Sequence, residues 1–200
     1  LLSVLMNVAS IFFLWFYIPY VLWIVLFDRT TASNGGRKWL FLRKWGLLKC
    51  FRAYFEPSFV IEKPLEPTGL YIFGIHPHGI MTMALWANFV TETAALRDIS
   101  FRMVTLSINL WVPFFRELLL WTGFIASDKK SVLRCLKKHK HSVTITVGGA
   151  EESLMTKSGI ILDKRKGFIE IALRSGASLV PVYNFGERNI FPYTYEPGHN

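Results

Sequence analysis

The chain has 200 residues, of which 52% are hydrophobic, and a formal net charge of +9. This length suits one domain with an appendage, and a mean hydropathy of +0.32 indicates contact with a membrane. The positive charge fits anionic lipid headgroups or a phosphate-bearing substrate. A nucleic-acid partner is not expected, because the basic residues abut an apolar segment. Cys50 and Cys135 lie far apart and indicate no disulfide framework.

The first predicted element is the uncharged apolar segment of residues 1–27. It is long enough for one membrane span, which takes about 20 residues, and Pro19 lies within it. Aromatic residues typical of a membrane interface occur at Trp15, Tyr17, Tyr20 and Trp23. We expect either a kinked transmembrane helix or half of a re-entrant hairpin, and a buried core helix is the alternative.

Residues 28–66 form the second predicted region, which is basic and connects the apolar segment to the rest of the chain. Between Asp28 and Arg52 seven lysines and arginines face a single acid, so the positive-inside rule places this side in the cytosol. Residues 37–54 mix basic with large apolar side chains, which predicts an interfacial helix. A proline-rich connector follows, up to residue 66.

Residues 67–200 alternate between strand and helix patterns. Strands are predicted at residues 70–75, 101–107, 142–147 and 179–185. Helices are predicted at residues 80–96, 114–121, 131–140 and 167–174. The pattern indicates the α/β fold class: a mixed, mostly parallel sheet flanked by helices.

Two histidines follow the first predicted strand, in the sequence His76-Pro77-His78-Gly79. Because Pro77 and Gly79 restrict and redirect the backbone there, the histidines lie at a strand–turn–helix corner. In open α/β sheets, ligands bind at the carboxyl ends of strands. Packing alone explains a lone histidine better than a rigid pair, so we interpret this corner as the functional site.

Other strands also end in unusual sequences. The strand at residues 142–147 is followed by Gly148, Gly149, Glu151 and Glu152, and the last strand by Glu187. If these strands are parallel, their ends converge on one rim of the sheet. A histidine base, a carboxylate that orients it and glycine turns that expose N–H groups are the components of acyl transfer to an alcohol.

Two further positions are candidates for binding phosphate. Lys164, Arg165 and Lys166 precede a predicted helix, and basic side chains at a helix N-terminus attract phosphate. A solvated charged loop is the alternative interpretation. Arg116, next to Glu117, is either a binding residue or one partner of an ion pair.

The chain resembles the type-2 diacylglycerol acyltransferase family, which includes the monoacylglycerol and wax-alcohol acyltransferases. The resemblance lies in residues 71–80, 147–154 and 165–187 and follows the family's motif order. The chain departs from the family pattern in Tyr54-Phe55-Glu56-Pro57, where a residue is inserted, and at Glu170, where a basic residue is common. We expect residues 67–200 to be the catalytic domain, truncated at its C-terminus.

The resemblance implies an integral membrane enzyme of the endoplasmic reticulum and lipid droplets, with its catalytic part in the cytosol. It implies transfer of a fatty acyl group from acyl-CoA, a cosubstrate, to an acylglycerol or a long-chain alcohol. The family's catalytic histidines fall on His76 and His78, and its conserved acid falls on Glu152. No cofactor and no metal are expected, and a homo-oligomer is left open.

The mechanism we expect has His78 accept the proton of the acceptor hydroxyl while Glu152 orients its ring. Backbone N–H groups near Gly79, or at Gly148 and Gly149, would hold the oxyanion, and Lys164, Arg165, Lys166 and Arg116 would bind acyl-CoA. One alternative is a metal-dependent lipid hydrolase with His76 and His78 as ligands and a third from His139, His141, His199 or an acid. Another is a non-catalytic lipid-binding protein of the membrane.

Overall fold

A computed structural model describes residues 14–191 except residues 44, 92 and 155–158. Its centre is a five-stranded sheet in the order β3-β2-β4-β1-β5. The strands are β1 (Tyr71–His76), β2 (Phe101–Thr105), β3 (Phe124–Ala126), β4 (Ser142–Thr146) and β5 (Ser178–Tyr183). Every pairing between these strands is parallel. The α/β prediction is therefore confirmed, and within the described residues the sheet is parallel rather than mixed.

Helices connect the strands and cover both faces of the sheet. They are α1 (residues 14–23), α2 (Leu40–Arg43), α3 (Gly46–Phe55), α4 (Met83–Leu85), α5 (Phe115–Thr122), α6 (Lys129–Lys137), α7 (Gly149–Ser153) and α8 (Gly167–Ser175). The helices predicted from residues 114, 131 and 167 correspond to α5, α6 and α8. The single long helix predicted over residues 80–96 is wrong, since α4 begins only at Met83 and continues as a π-helix over Trp86–Val90.

The sheet has a hydrophobic core on each face because successive strand residues point to opposite sides. Tyr71, Phe73 and Ile75 of β1 belong to the first core, with residues of β2, α5 and the helical segment after α4. Ile72 belongs to the second core, which packs against α6 and α8. Burial of strand residues on both faces is typical of a parallel sheet.

The chain before β1 contributes to the first core rather than only connecting to it. Ala32 is buried there, and Phe59, Ile61 and Leu65 pack against it while remaining partly exposed. The predicted interfacial helix of residues 37–54 is divided into α2 and α3. None of the residues in α3 is buried, and Trp45 and Leu47 expose more than half of their surface.

The predicted membrane segment, residues 1–27, lies partly outside the described residues, which begin at residue 14. The described part is α1 followed by a π-helix over Ile24–Asp28. Among the helices that the structure describes, none combines the length and the apolar character needed to cross a bilayer.

Candidate active site

The carboxyl ends of β1, β4 and β5 lie side by side, because β1 pairs with both of the other strands. Ile75 is in register with Thr146, and His76 with Tyr183. The Asn184 N–H donates to the His76 carbonyl at 2.7 Å and extends the pairing past the end of β1. The peptide bond between His76 and Pro77 is cis. The expected convergence of strand ends is thus present in the fold.

Glu152 is the buried carboxylate of this rim, with 1% of its surface exposed. One oxygen, Oε1, accepts from the backbone N–H of His78 at 2.7 Å, and Oε2 accepts from the N–H of Ile161 at 3.0 Å. The ring nitrogen Nδ1 of His76 lies 3.2 Å from Oε2 and 3.3 Å from Oε1. Glu152 therefore contacts the turn His76-Pro77-His78-Gly79, the histidine turn, at two points: the ring of His76 and the N–H of His78.

The ring that meets Glu152 belongs to His76, which corrects the expectation that this carboxylate orients the His78 ring. His76 ends β1 beside β4, and the helix after β4 carries Glu152, so the two side chains meet. Because a carboxylate oxygen accepts, Nδ1 of His76 is the donor, and in the neutral ring Nε2 carries the lone pair. That Nε2 is buried and has no hydrogen-bond partner among the described residues.

His78 is the more accessible of the two histidines, being half-buried where His76 is buried. Its Nδ1 lies 2.6 Å from the carbonyl oxygen of Gly79. Since a carbonyl oxygen only accepts, Nδ1 carries the proton and Nε2 carries the lone pair. In this tautomer Nε2 of His78 can accept a proton from a bound molecule.

A second buried carboxylate, Glu187, lies at the same rim and is 2% exposed. Its two oxygens accept from consecutive backbone N–H groups, those of Met83 at 2.8 Å and Ala84 at 2.7 Å. Burial raises the pKa of Glu187, while these hydrogen bonds and the nearby His78 oppose the rise. The sequence indicated only that Glu187 follows the last strand. Its hydrogen-bond donors, Met83 and Ala84, lie about a hundred residues earlier in the chain.

The three glycines proposed as backbone donors differ in their surroundings. Gly148 packs against Glu152, and a Cβ on it would lie 2.1 Å from Oε2. Gly149, at φ +59°, begins α7 and has open space where a Cβ would lie. Gly79, at φ +61°, packs against Glu187. Two of these glycines thus allow the histidine turn and the carboxylates to approach closely.

The basic loop before α8 contacts the helix that carries Glu152. The side chain of Arg165 pairs with Glu151 at 3.1 Å, and Nζ of Lys164 lies 3.9 Å from the same carboxylate. Lys164, Arg165 and Lys166 are all exposed. Two of the three sequence-predicted phosphate-binding residues, Lys164 and Arg165, therefore contact the residue next to Glu152.

Arg116 is in a different environment from the one predicted for an acyl-CoA-binding residue. It is 2% exposed, and its guanidinium pairs with Asp28 at 2.5 Å and with Glu117 at 2.8 Å. Arg37 pairs with both of these acids. The charge of Arg116 is thus neutralised inside the protein, and the structure supports the ion-pair alternative.

The metal-ligand alternative gains no support from the described chain. Within residues 14–191, apart from the gaps, no cluster of three or more His, Cys, Asp or Glu side chains is placed to hold a metal ion. His199 lies outside the described residues.

A cavity of about 220 Å³ lies away from the histidine turn, and its lining residues include Arg29, Ser107, Trp111 and Asp128.

Comparison of the sequence with known proteins shows the family to which the chain belongs. A model of the diacylglycerol acyltransferase family matches residues 5–199. The chain belongs to this family of acyltransferases. No solved structure matches the chain significantly.

Several curated relatives are similar over most of the chain. It is 38% identical over 194 residues to 2-acylglycerol O-acyltransferase 1 of Homo sapiens, covering 92% of this chain and 58% of that protein. It is 40% identical over 188 residues to diacylglycerol O-acyltransferase 2 of Dictyostelium discoideum, covering 90% and 57%. For diacylglycerol O-acyltransferase 2B of Umbelopsis ramanniana the identity is 38%, covering 87% and 52%. The chain spans a little over half the length of these relatives.

Proposed function

We propose that the protein is an acyl-CoA-dependent acylglycerol O-acyltransferase. The observation that carries the proposal is the histidine turn at the end of β1, where Glu152 contacts the ring of His76 and the N–H of His78. The names of the relatives, which are 2-acylglycerol and diacylglycerol acyltransferases, support an acylglycerol as the acceptor. A long-chain alcohol is the alternative acceptor.

His78 is the general base in this proposal. Its Nε2 carries the lone pair, and its ring is the more accessible of the two. The acceptor hydroxyl gives its proton to this nitrogen as its oxygen attacks the thioester carbonyl of acyl-CoA. The tetrahedral intermediate then expels the CoA thiolate, which takes the proton from the imidazolium. His76 and Glu152 hold the turn in place.

Backbone N–H groups of Gly79, Gly148 or Gly149 would stabilise the oxyanion, and each such donor is worth about 3 kcal/mol in related sites. The exposed side chains of Lys164, Arg165 and Lys166 would bind the phosphates of CoA. The contacts of Lys164 and Arg165 with Glu151 support this assignment, since they bring these two side chains to the helix that carries Glu152. No cofactor is proposed.

The protein would act at the endoplasmic reticulum membrane, with its catalytic part on the cytosolic side, and at lipid droplets. The apolar residues 1–27 would anchor it, as a span or a re-entrant hairpin. The exposed apolar side chains of α3 and its neighbourhood, such as Trp45 and Leu47, support a face that lies against lipid. A homo-oligomer remains a proposal.

Separate His78→Ala and His76→Ala variants of the full-length protein test the assignment. With labelled acyl-CoA and a panel of monoacylglycerol, diacylglycerol and long-chain alcohol, we expect His78→Ala to lower kcat by about 10²–10⁴-fold, the usual contribution of a general base. His76→Ala should retain measurable transfer, because it removes a support rather than the proton acceptor. Product analysis across the panel identifies the acceptor.

A His141→Ala variant, which alters a histidine outside the site, serves as the control for the assay. If His76→Ala abolishes transfer and His78→Ala does not, the buried Nε2 of His76 is the proton acceptor instead. Wild-type protein that cleaves acyl-CoA without acylating any alcohol would contradict the proposed activity and favour a hydrolase.

A further inference from the structure

The segment after the histidines is held by a carboxylate that the mechanism above does not use. Glu187 lies just after β5, follows Gly186 at φ +83° and begins a short 3-10 helix over Glu187–Asn189. Its side chain is buried among the backbone of a segment about a hundred residues earlier in the chain. Burying a carboxylate is costly unless hydrogen bonds compensate it, so its placement has a specific cause.

Both carboxylate oxygens of Glu187 act as acceptors. Oε1 accepts from the Met83 N–H at 2.8 Å and Oε2 from the Ala84 N–H at 2.7 Å. A neutral carboxylic acid would place a proton on one of these oxygens, so two N–H donors favour the ionised form. The carboxylate thereby fixes the first turn of α4, which follows the histidine turn.

Glu187 also packs directly beneath the histidine turn. A Cβ on Gly79 would lie 2.5 Å from Oε1 and 2.6 Å from Cγ of Glu187, so the two residues are in contact. Gly79 in turn supplies the carbonyl oxygen that holds Nδ1 of His78 at 2.6 Å. The position of the Gly79 carbonyl, and with it the tautomer of His78, thus depends on the surface that Glu187 provides.

Glu152 and Glu187 contact the histidine turn at different atoms. Glu152 contacts the ring of His76 and the N–H of His78. Glu187 packs against Gly79, whose carbonyl oxygen lies 2.6 Å from Nδ1 of His78.

We propose that Glu187 is a positioning residue for the acyl transfer, which fixes the Gly79 turn below His78 and with it the orientation of the His78 ring. This inference rests on the proposed function. Glu152 contacts the ring of His76 and the backbone of His78, and Glu187 supports the glycine whose carbonyl contacts the ring of His78. The two carboxylates arrive from the ends of different strands and hold the same turn from separate contacts.

A Glu187→Gln variant of the full-length protein tests the proposal. Gln preserves the shape but removes the charge and one acceptor. We expect kcat to fall about tenfold or more, with KM for the acceptor within about twofold. In addition, hydrogen exchange of the Met83 and Ala84 amides should become about tenfold or more faster, because Gln offers these two N–H groups one acceptor instead of two.

Two matched variants complete the test. Glu170→Gln removes an exposed carboxylate that pairs with Lys129 and Arg174, and it should leave kcat and the exchange of the two amides unchanged. Glu187→Asp retains both carboxylate oxygens on a shorter side chain, so it should recover part of the lost kcat and part of the amide protection. A general loss of folding would instead raise KM and lower kcat together in both Glu187 variants.

The exchange measurement separates the failure of this proposal from failure of the proposed function. Wild-type protein without acyl transfer to any alcohol would refute the function, and the exchange of the Met83 and Ala84 amides would still decide whether Glu187 holds this turn. Unchanged exchange in Glu187→Gln, or a kcat within about twofold of a wild type that does transfer acyl groups, would overturn the inference.

Discussion

Gly148 shows how closely the site is packed at the level of single atoms. Its backbone, at φ −64°, suits any residue, yet a Cβ would lie 2.1 Å from Oε2 and 2.3 Å from Cδ of Glu152. The requirement for glycine here is therefore steric and comes from one side chain. Any larger residue must displace the carboxylate that holds both histidines.

We predict that Gly148→Ala lowers the rate of acyl transfer by about 10²-fold, since a displacement of about 1 Å has an effect of that size in preorganised sites. Steady-state kinetics on folded protein measures it. Gly46→Ala is the matched control, because a Cβ at Gly46 meets no atom within 4 Å. Equal rates for the two variants would show that the position of Glu152 is not critical.

His141 is a second residue whose surroundings have a measurable consequence. Its Nε2 lies 3.1 Å from Nη2 of Arg102, and its Nδ1 lies 2.9 Å from Oγ of Ser100. Burial, and then the charges of Arg102, His139 and Lys38, lower the pKa of His141 to about 4. The folded protein therefore keeps this ring neutral well below the pH at which a free histidine protonates.

We predict that this histidine makes the protein less stable in acid. At a pH between the unfolded pKa, near 6.5, and the folded pKa, about 4, His141 is protonated in the unfolded chain but neutral in the folded protein. The free energy of unfolding therefore falls as the pH is lowered through this range. Melting temperatures across the window should fall less steeply in His141→Gln, which cannot be protonated. Identical slopes in variant and wild type would contradict the assignment.

At the scale of elements, a buried ion-pair network joins the end of the N-terminal helical segment to α5. Asp28 ends the π-helix that follows α1, and Arg116 and Glu117 lie in the first turn of α5. Arg116 also donates to the Asp28 carbonyl at 2.7 Å. Charged side chains, and not only apolar packing, thus join the predicted membrane segment to the α/β domain.

Removing one member of this network should be costly. We predict that Arg116→Met lowers the free energy of unfolding by about 3–5 kcal/mol, because the variant leaves buried carboxylates short of a partner. Denaturant titration measures the loss. Arg174→Met is the control, since Arg174 is exposed and pairs with Glu170 on the surface, where an ion pair contributes little to stability. Similar losses in both variants would refute the role of the network.

The segment between the histidine turn and β2 shows where element prediction failed. Good helix formers in residues 80–96 predicted one helix, but Thr82 adopts φ +53° and breaks the backbone before Met83. Glu187 then caps the new helix start through two N–H groups. This cap comes from a distant strand end, so no local pattern could have indicated it.

For the molecule as a whole, the alternation of strand and helix patterns predicted the α/β fold, and the histidine and glycine motifs predicted which strand ends meet. Strand β3 was missed because its three residues are too few for a period-two pattern. Asp28 as a partner of Arg116 and the backbone donors to Glu187 were missed for another reason. A buried charge whose partner lies far away in the chain looks, in sequence, like any exposed charge.

The two buried carboxylates also determine when the site can form as the protein is made. Glu152 lies 76 residues beyond His76, and Glu187 lies 104 residues beyond Met83. Both histidines therefore leave the ribosome long before the carboxylates that contact them. Strand β1, which precedes the histidines, cannot pair with β4 and β5 until those strands have been synthesised. If translation stopped before residue 187, the released chain would contain both histidines but would lack Glu187.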